Sequence, residues 1–487
     1  MNIIKWLLSG DVSIVYQVKR DILGIDDMQF KTRIEKEGYG RDFLERQNIN
    51  GHWGRSFYQP KWTSSHYTLL DLKNLNIGKT SAIERTIEKI LDENIEEDGG
   101  VNPHRSVPKS DVCINGMALD YMCWFGAQEN KLESIVDFII SQHMPDGGFN
   151  CRLNYSGAVH SSLHSTLSVL EGIRTYEEQG YSYRLHDLLE IEKKGREFIL
   201  EHRLYKSDKT GEIISKSFLM LSYPSRWKYD ILRALVYFAN AGVPYDDRMN
   251  DALDVLVCKQ RKNGTWPVQA KHPGKVHFDM EKTGSDSRWN TYRALKVLVK
   301  YRKSHIMNRV LDKLSLEFDR ANVKYGIGAS LLLKTWGLSE FANDIDIIIS
   351  YEDREKAIRV LDELGVEKSE KNLELYSTEL FKTYNVDGIN IDIMSNFTIK
   401  TDEGSYTYPF DDDRITGMKV LQCENIPTMS LENWLVAYDL IKRKVKAEKI
   451  KNHLVQNGFN RRIIEDALEK ELNKDTRKML AELLNLK

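Results

Sequence analysis

The sequence has few cysteines and no long apolar run. Its five cysteines are odd in number, scattered and never spaced as Cys-x-x-Cys. No stretch approaches the ~20 apolar residues of a membrane span. The apolar part of the opening "MNIIKWLLSGDVSIVYQVKRD" is too short for a signal peptide and meets charge at once. We therefore predict a cytoplasmic protein without a membrane span, whose thiols are reduced: Cys113, Cys123, Cys151, Cys258 and Cys423.

An excess of charge of either sign is also missing. The 487 residues carry a formal net charge of −2, with 41% hydrophobic and 29% charged residues. This balance gives no electrostatic case for wholesale nucleic-acid binding. The length predicts about two to four domains.

The first three hundred residues repeat a pattern. Each copy has a Gly-containing turn, an aromatic or apolar residue, a polar loop and a helix with apolar residues at 3–4 spacing. One copy is "MPDGGFNCRLNYSGAVHSSLHSTLSVLEGI" from residue 144. Further amphipathic helices, such as "AIERTIEKILDEN" and "LESIVDFIISQH", lie between the copies. A period near ~50 residues indicates a repeat architecture in which neighbours bury each other's faces.

The turns "DGGF" (146–149) and "NGTW" (263–266) look like the QW-type turns of the squalene cyclase and protein prenyltransferase superfamily. Residues 1–304 therefore resemble its all-α (α/α) toroid. The phrases "YQPKWTSSHYTLL" and "SRWNTYRALKVL" resemble most closely the bacterial prenyltransferase/squalene-oxidase repeat proteins. The Asp-x-Asp-Asp acid motif of the cyclases is absent.

The prenyltransferase resemblance implies a zinc site in the toroid. Its expected ligands are Asp111 and Cys113 on one repeat, with His160 and His164 on the next. Carboxylate, thiolate and imidazole are suitable zinc ligands, and an open fourth position would make the site catalytic. Alternatively, Asp111 is a helix N-cap and Cys113 a small apolar filler.

Aromatic residues recur at equivalent helix starts. In the cyclases such rings face a central cavity and stabilise carbocations. Alternatively, these aromatics are core residues, which is the more frequent role of aromatics at repeat positions. The resemblance implies an apolar cavity for an isoprenoid or another apolar ligand, lined by Trp62, Tyr67, Trp227, Tyr229, Trp289 and Tyr292.

After about residue 304 helices and strands alternate. We predict an α/β core over 305–428 and a helical subdomain over 429–487. "NDIDIIIS" predicts a strand, and "ELFKTYNVDGINIDIMSNF" predicts a hairpin around Asp387-Gly388.

Two aspartates interrupt the apolar strand "NDIDIIIS". Because strand side chains alternate, Asp344 and Asp346 share one face, and Asp392 sits alike in "INIDIMS". Three carboxylates on adjacent strands repel one another unless a cation lies among them, and Mg²⁺ suits such a set. Alternatively, Asp344 and Asp346 are strand-end caps.

The Gly turn "GIGAS" (326–330) precedes the aspartates at a helix start. There, backbone N–H groups and Ser330 can contact phosphate oxygens. The turn, the Asp-x-Asp and the third aspartate resemble polymerase-β-like nucleotidyltransferases, such as aminoglycoside and lincosamide nucleotidyltransferases and AbiEii-type toxins. The family's paired glycine matches Gly328-Ala329 here, and Gly326 precedes it.

The nucleotidyltransferase resemblance covers about residues 308–455 and implies two Mg²⁺ ions. Asp344 and Asp346 would bind both ions, while Asp392 would bind one and act as general base. In "IPTMSLENWLVAYDLIKRKVKAEK" the family's Arg-x-x-Lys pair is matched by Arg443 and Lys446. Together with Lys442 they would contact the triphosphate, or form a solvated basic face.

The sequence thus predicts an enzyme that moves NMP from an NTP to a hydroxyl of a small molecule or RNA. In this prediction the toroid binds an apolar acceptor or a partner. One alternative gives the toroid cyclase-like or zinc prenyltransferase-like activity. Another makes it a non-catalytic binding module.

Overall fold

The chain divides into two compact units, Met1–Tyr301 (unit 1) and Arg302–Lys487 (unit 2). Unit 1 is mainly helical, and unit 2 combines helices with a seven-stranded mixed sheet. The toroid and the three predicted domain ranges stay predictions. The computed structural model describes residues 2–103, 109–339, 342–368, 375–421 and 424–485.

Unit 1 is a succession of helices with one short antiparallel strand pair, β1 (Trp266–Pro267) and β2 (Asp286–Ser287). The predicted helices "AIERTIEKILDEN" and "LESIVDFIISQH" are confirmed as the sixth and eighth. The helices are α1 (Ile3–Leu7), α2 (Val12–Leu23), α3 (Met28–Arg33), α4 (Gly38–Leu44), α5 (Ser65–Asn74), α6 (Ser81–Asn94), α7 (Val112–Trp124), α8 (Glu129–Ser141), α9 (Leu153–Ser156), α10 (Leu163–Glu178), α11 (Leu185–Glu201), α12 (Ile231–Asn240), α13 (Asn250–Cys258) and α14 (Arg288–Arg320), whose second half belongs to unit 2.

Two glycines bring α7 and α10 into backbone contact. A Cβ at Gly116 would lie 2.6 Å from the Cα of Val169, and a Cβ at Gly172 would clash with the carbonyl oxygen of Gly116. Only glycine therefore permits this close helix crossing.

The two ends of unit 1 contact each other. Arg288 Nε on α14 donates to the carbonyl oxygen of Trp6, 3.2 Å away. Lys296 Nζ lies 2.7 Å from a carboxylate oxygen of Asp21 on α2. A closed ring of helices requires such contacts, although they do not by themselves establish a toroid.

The cysteines differ in part from the prediction of reduced thiols. Cys113 and Cys151 are paired as a disulfide. The thiols of Cys123, which is buried, and Cys258, which is exposed, are free. Cys423 lies outside the described residues.

Unit 2 is built on one mixed sheet with strand order β10-β11-β3-β4-β7-β6-β5. A separate hairpin pairs β8 with β9. Its strands are β3 (Tyr325–Ile327), β4 (Ile345–Ile349), β5 (Val366–Glu367), β6 (Leu380–Val386), β7 (Ile389–Ser395), β8 (Thr398–Thr401), β9 (Gly404–Thr407), β10 (Ile415–Leu421) and β11 (Glu424–Met429). Its further helices are α15 (Ala329–Thr335), α16 (Arg354–Leu364), α17 (Leu431–Leu440), α18 (Lys444–Asn457), α19 (Arg461–Leu468) and α20 (Lys474–Leu484).

The two faces of this sheet belong to different hydrophobic cores. Ile345 and Ile347 of β4 pack with α16 and the second half of α14. Ile348 of β4 and Met394 of β7 pack on the other face, with α15 and α17–α20. The predicted period-two alternation of β4 and β7 is therefore confirmed, and the aspartates lie on the second face.

The predicted hairpin is also confirmed. Strands β6 and β7 pair antiparallel from Val386↔Ile389 to Leu380↔Ser395. The turn residues Asp387 and Gly388 have φ of 49° and 87°, and positive φ at both central positions is typical of a type I′ turn. The helical tail predicted from residue 430 corresponds to α17–α20.

Among the described helices, none is both long enough and apolar enough to span a membrane.

Candidate active site

The backbone register places the three predicted catalytic aspartates on one face of the unit 2 sheet. Asp346 of β4 is the register partner of Asp392 on the parallel neighbour β7. Asp344 comes directly before β4, two residues from Asp346, and so shares its side of the chain. The side chains of Asp344 and Asp346 are half-buried, whereas Asp392 is only 4% exposed.

A cross-strand hydrogen bond orients the most buried of these carboxylates. Thr383 lies opposite Asp392 in the β6–β7 hairpin. Its hydroxyl donates to Asp392 Oδ1 over 2.7 Å in a buried environment. This hydrogen bond fixes one oxygen of the Asp392 carboxylate. The carboxylate therefore keeps one orientation on the face of the sheet that carries Asp344 and Asp346.

The Gly turn lies against the strand that carries the first two aspartates. The backbone N–H of Gly328 donates to the carbonyl oxygen of Asp346 over 2.9 Å. Gly328 also packs on the indole of Trp434, since a Cβ there would lie 2.6 Å from Trp434 Cε2. Gly326, by contrast, lies within β3 and packs against Met429, so its lack of a side chain is explained by strand packing.

A lysine from the C-terminal helices reaches the Gly turn. Lys446 Nζ on α18 donates to Ser330 Oγ on α15 over 2.7 Å. Burial and Arg443 lower the pKa of Lys446, while the nearby carboxylates of Asp346 and Asp344 oppose that shift. The structure thus brings Ser330, Lys446 and the Asp-x-Asp pair together.

The other two predicted basic residues lie at the surface. Lys442 and Arg443 are exposed at the junction of α17 and α18. Arg443 is close enough to lower the pKa of Lys446 by charge repulsion. Within the part of the chain that the structure describes, no contact places Lys442 at the aspartates.

Tyr438 is a site residue that sequence reasoning missed. Its ring on α17 lies 5.1 Å from Lys446 Nζ. Burial, followed by the charge of Asp346, raises the pKa of Tyr438, so its hydroxyl stays protonated. No local pattern singles out this tyrosine. Thr383 was also missed, although counting outward from Asp387-Gly388 pairs it with Asp392.

The fit of a divalent cation rests on the chemistry of these donors. Aspartate oxygens on two adjacent strands are the ligands that Mg²⁺ takes in proteins. Among the described residues, no three His, Cys, Asp or Glu side chains already converge as a metal site. Because close carboxylates repel one another without a cation, side chains that stand apart are compatible with this donor set.

The structure does not assemble the predicted zinc ligands. The Cys113 sulfur is bonded to Cys151, so it cannot act as a thiolate ligand. His164 Nδ1 accepts a hydrogen bond from the Tyr229 N–H over 2.8 Å, and burial lowers the pKa of His164 to about 4. His160 is exposed.

Asp111 occupies the position before α7, as the capping alternative predicts, but its side chain makes no cap hydrogen bond. Cys113 is not a packed free thiol either, because it is part of the disulfide. Neither alternative for this pair is therefore confirmed in full.

The six predicted cavity aromatics separate into two groups. Trp289 and Tyr292 line a cavity in unit 1. Trp62 and Tyr67 pack on each other, with ring centroids 4.9 Å apart, outside its lining. Trp227 and Tyr229 lie against the ring of His164. These four act as packing residues, so two of the six predicted aromatics line this cavity.

Comparisons with known proteins bear on part of the chain. No protein-family model matches it, and no curated protein matches it significantly. A structure from Thermotoga maritima, suggested to be a nucleotidyltransferase, is 25% identical with a TM-score of 0.25, over 31% of this chain and 92% of that one.

Two structures of the antibiotic-resistance factor ANT(2'')-Ia are also similar, each 12% identical with a TM-score of 0.25 over 37% of this chain. The solution structure is covered to 89% and the crystal structure, in complex with adenylyl-2''-tobramycin, to 97%. The structural neighbours thus include a suggested nucleotidyltransferase. A TM-score of 0.25 decides neither the activity of this chain nor the arrangement of unit 1.

Proposed function

We propose that unit 2 transfers a nucleoside monophosphate from an NTP to a hydroxyl group of a small molecule or RNA, with Mg²⁺. One observation carries this proposal: Asp346 and Asp392 are register partners on parallel strands, with Asp344 on the same side. A basic group, Lys446, lies within electrostatic reach of the first two carboxylates. Carboxylate groups and an ammonium group thus lie near one another in unit 2.

Asp392 is the proposed general base. It is the most buried of the three carboxylates, and its hydrogen bond from Thr383 holds its orientation. The acceptor oxygen forms a bond to the α-phosphorus as its proton passes to the carboxylate. The bond from the α-phosphorus to the bridging oxygen breaks, and pyrophosphate leaves with the electron pair. A positioned base of this kind contributes typically about 10²–10⁴-fold to the rate.

Lys446 and Ser330 are the proposed triphosphate contacts. The pair already shares a 2.7 Å hydrogen bond at the Gly turn. An ammonium group binds phosphate as a point charge, and Arg443 is near enough to add to the positive potential. Asp344, Asp346 and Asp392 would hold Mg²⁺, which neutralises phosphate charge and lowers the pKa of the attacking hydroxyl.

The toroid alternatives gain no support from unit 1. The predicted thiolate zinc ligand is in a disulfide. Charged side chains line the cavity, which does not suit an isoprenoid or a carbocation. We therefore propose binding, not catalysis, for unit 1.

Asp392→Asn tests the proposed function. The substitution keeps an oxygen for the Thr383 hydroxyl but removes the base, so NTP-dependent pyrophosphate release should fall by about a hundredfold or more. Release is measured with Mg²⁺ and a mixture of host metabolites and RNA as acceptors, and mass spectrometry identifies the product that gains a nucleotide. The melting temperature should hold or rise, because removing one of three negative charges on the same face of the sheet reduces their mutual repulsion.

Asp387→Asn is the matched control. Asp387 is exposed in the turn of the same hairpin, with φ of 49°, a conformation that asparagine also adopts. This variant should keep full activity. Wild-type activity in Asp392→Asn would rule out the catalytic assignment.

A further inference from the structure

Unit 1 encloses a cavity of about 520 Å³ that is rich in charge. Seven arginine and lysine side chains and four carboxylates take part in its lining. Ligand pockets of this size are usually lined mainly by apolar groups. This cavity is therefore not the predicted apolar cavity for an isoprenoid.

The four lining carboxylates are already neutralised by lining cations. Each forms an ion pair across the cavity wall, and these pairs leave no carboxylate to balance another charge. The pairs are Asp71 with Arg226 (2.8 Å), Asp120 with Lys73 (2.9 Å), Glu171 with Arg233 (2.5 Å) and Glu178 with Arg174 (2.9 Å).

Of the remaining three cations, Arg20 on α2 and Lys296 on α14 share one carboxylate, and Arg293 lies three residues before Lys296 on α14. Arg20 and Lys296 both contact Asp21, over 2.5 Å and 2.7 Å. Asp21 is ionised at neutral pH, because the two cations outweigh its burial and lower its pKa to about 2. Arg293 completes the group, so this side of the cavity carries excess positive charge.

Arg293 has donors available for a ligand. Its Nη1 donates to three neutral oxygens, the Ser222 carbonyl (3.4 Å), Ser225 Oγ (3.2 Å) and Asn290 Oδ1 (3.4 Å). Its Nε and Nη2 donate to no residue in the part of the chain that the structure describes. A guanidinium with two such donors matches two oxygens of a phosphate group.

The rest of the lining includes amide groups, which suit hydroxyl groups of a ligand, and stacked aromatic rings. The amides of Asn74 and Asn240 face the cavity region, and the rings of Trp289 and Tyr223 stack there with centroids 4.9 Å apart. Amides both donate and accept hydrogen bonds, as hydroxyl groups require.

We propose that this cavity binds a small, hydroxyl-bearing phosphate ester, with its phosphate on Arg293 and the adjoining Lys296. The inference is independent of the function proposed for unit 2. An apolar ligand would cover the Arg293 guanidinium without pairing its charge, and burying unpaired charge is unfavourable. A neutral sugar would leave the excess positive charge unbalanced.

Calorimetric titration of the full-length protein tests the proposal with four probes at matched ionic strength. These are glucose 6-phosphate, inorganic phosphate, glucose and farnesol. Glucose 6-phosphate should bind one per chain and inorganic phosphate more weakly, whereas glucose and farnesol should not bind. Arg293→Gln should weaken glucose 6-phosphate binding by about tenfold or more, the loss of one charge-assisted contact.

Arg302→Gln is the matched control, since Arg302 is exposed on the same helix, and it should bind as the wild type. Arg293→Lys keeps a charge and should bind inorganic phosphate within about fivefold of wild type, which provides a test if the glutamine variant fails to fold. Wild-type affinity in Arg293→Gln, absence of binding by both phosphates, or binding of farnesol instead would overturn the proposal.

Discussion

At the residue scale, Ala329 shows how the site departs from its local sequence preferences. Its φ is +47°, in the left-handed region that glycine prefers. The residue is buried, follows Gly328 and is the first residue of α15. The nucleotidyltransferase family that the sequence resembles has a second glycine here. The structure therefore holds an alanine in a conformation that glycine adopts more readily.

Ala329→Gly should change stability little, although it removes a buried methyl group. Relief of left-handed strain contributes about 1–2 kcal/mol. Loss of methyl burial costs about 0.8 kcal/mol and the more flexible unfolded chain about 0.4–1 kcal/mol. The free energy of unfolding, measured in urea, should stay within about 0.8 kcal/mol of wild type on these terms.

Ala357→Gly provides the comparison. Ala357 is fully buried in α16 with an ordinary helical φ, so it has no strain to relieve. This variant should lose about 2 kcal/mol from the methyl group and helix propensity together. Equal losses in both glycine variants would contradict the strain assigned to Ala329.

At the element scale, the sequence predicts those structural features that depend on residues close together in the chain, such as strand alternation and hairpin turns. Period-two alternation correctly placed Asp346 and Asp392 on one face, and Asp387-Gly388 correctly predicted the hairpin. The cavity of unit 1 could not be predicted in this way. Whether an aromatic residue such as Trp62 faces a cavity or the core depends on how helices distant in sequence rotate against one another. For the same reason the pairing of Arg226 with Asp71, 155 residues apart, left no local signal.

Gly328→Ala should destabilise unit 2 by about 1–3 kcal/mol through overpacking. The backbone at Gly328 is extended, with φ of −131°, so the cost is steric. An added Cβ would lie 2.6 Å from Trp434 Cε2 and 2.7 Å from Trp434 Nε1. Because Phe is smaller than Trp and has no second fused ring, Trp434→Phe should reduce the cost of Gly328→Ala.

Urea denaturation of both single variants and the double variant measures this coupling, which should be about 1 kcal/mol or more for residues in direct contact. Gly78→Ala is a suitable control, because an added Cβ there meets only the end of the Glu35 side chain. Additive effects at Gly328 and Trp434 would contradict the packing of the Gly turn against α17.

At the scale of the whole molecule, one helix contributes to separate hydrophobic cores. The first part of α14 supplies Val297 and Tyr301 to the core of unit 1. Its second part supplies Leu311 and Phe318 to a core of unit 2. The boundary between the units, at Tyr301 and Arg302, falls within this helix. Each unit therefore has its own buried apolar surface, which is what independent folding requires.

The fragment 302–487 should accordingly fold alone, since it retains the α14 residues that pack under the sheet of unit 2. It should show one cooperative thermal transition by circular dichroism and bind NTP with Mg²⁺.

The fragment 316–487 is the control. It lacks four buried α14 residues, Met307, Val310, Leu311 and Leu314. Truncating even one large buried side chain costs about 2–5 kcal/mol, a large share of the stability of a domain. The shorter fragment should therefore fail to fold, and cooperative unfolding of both fragments, or of neither, would contradict this division of the core.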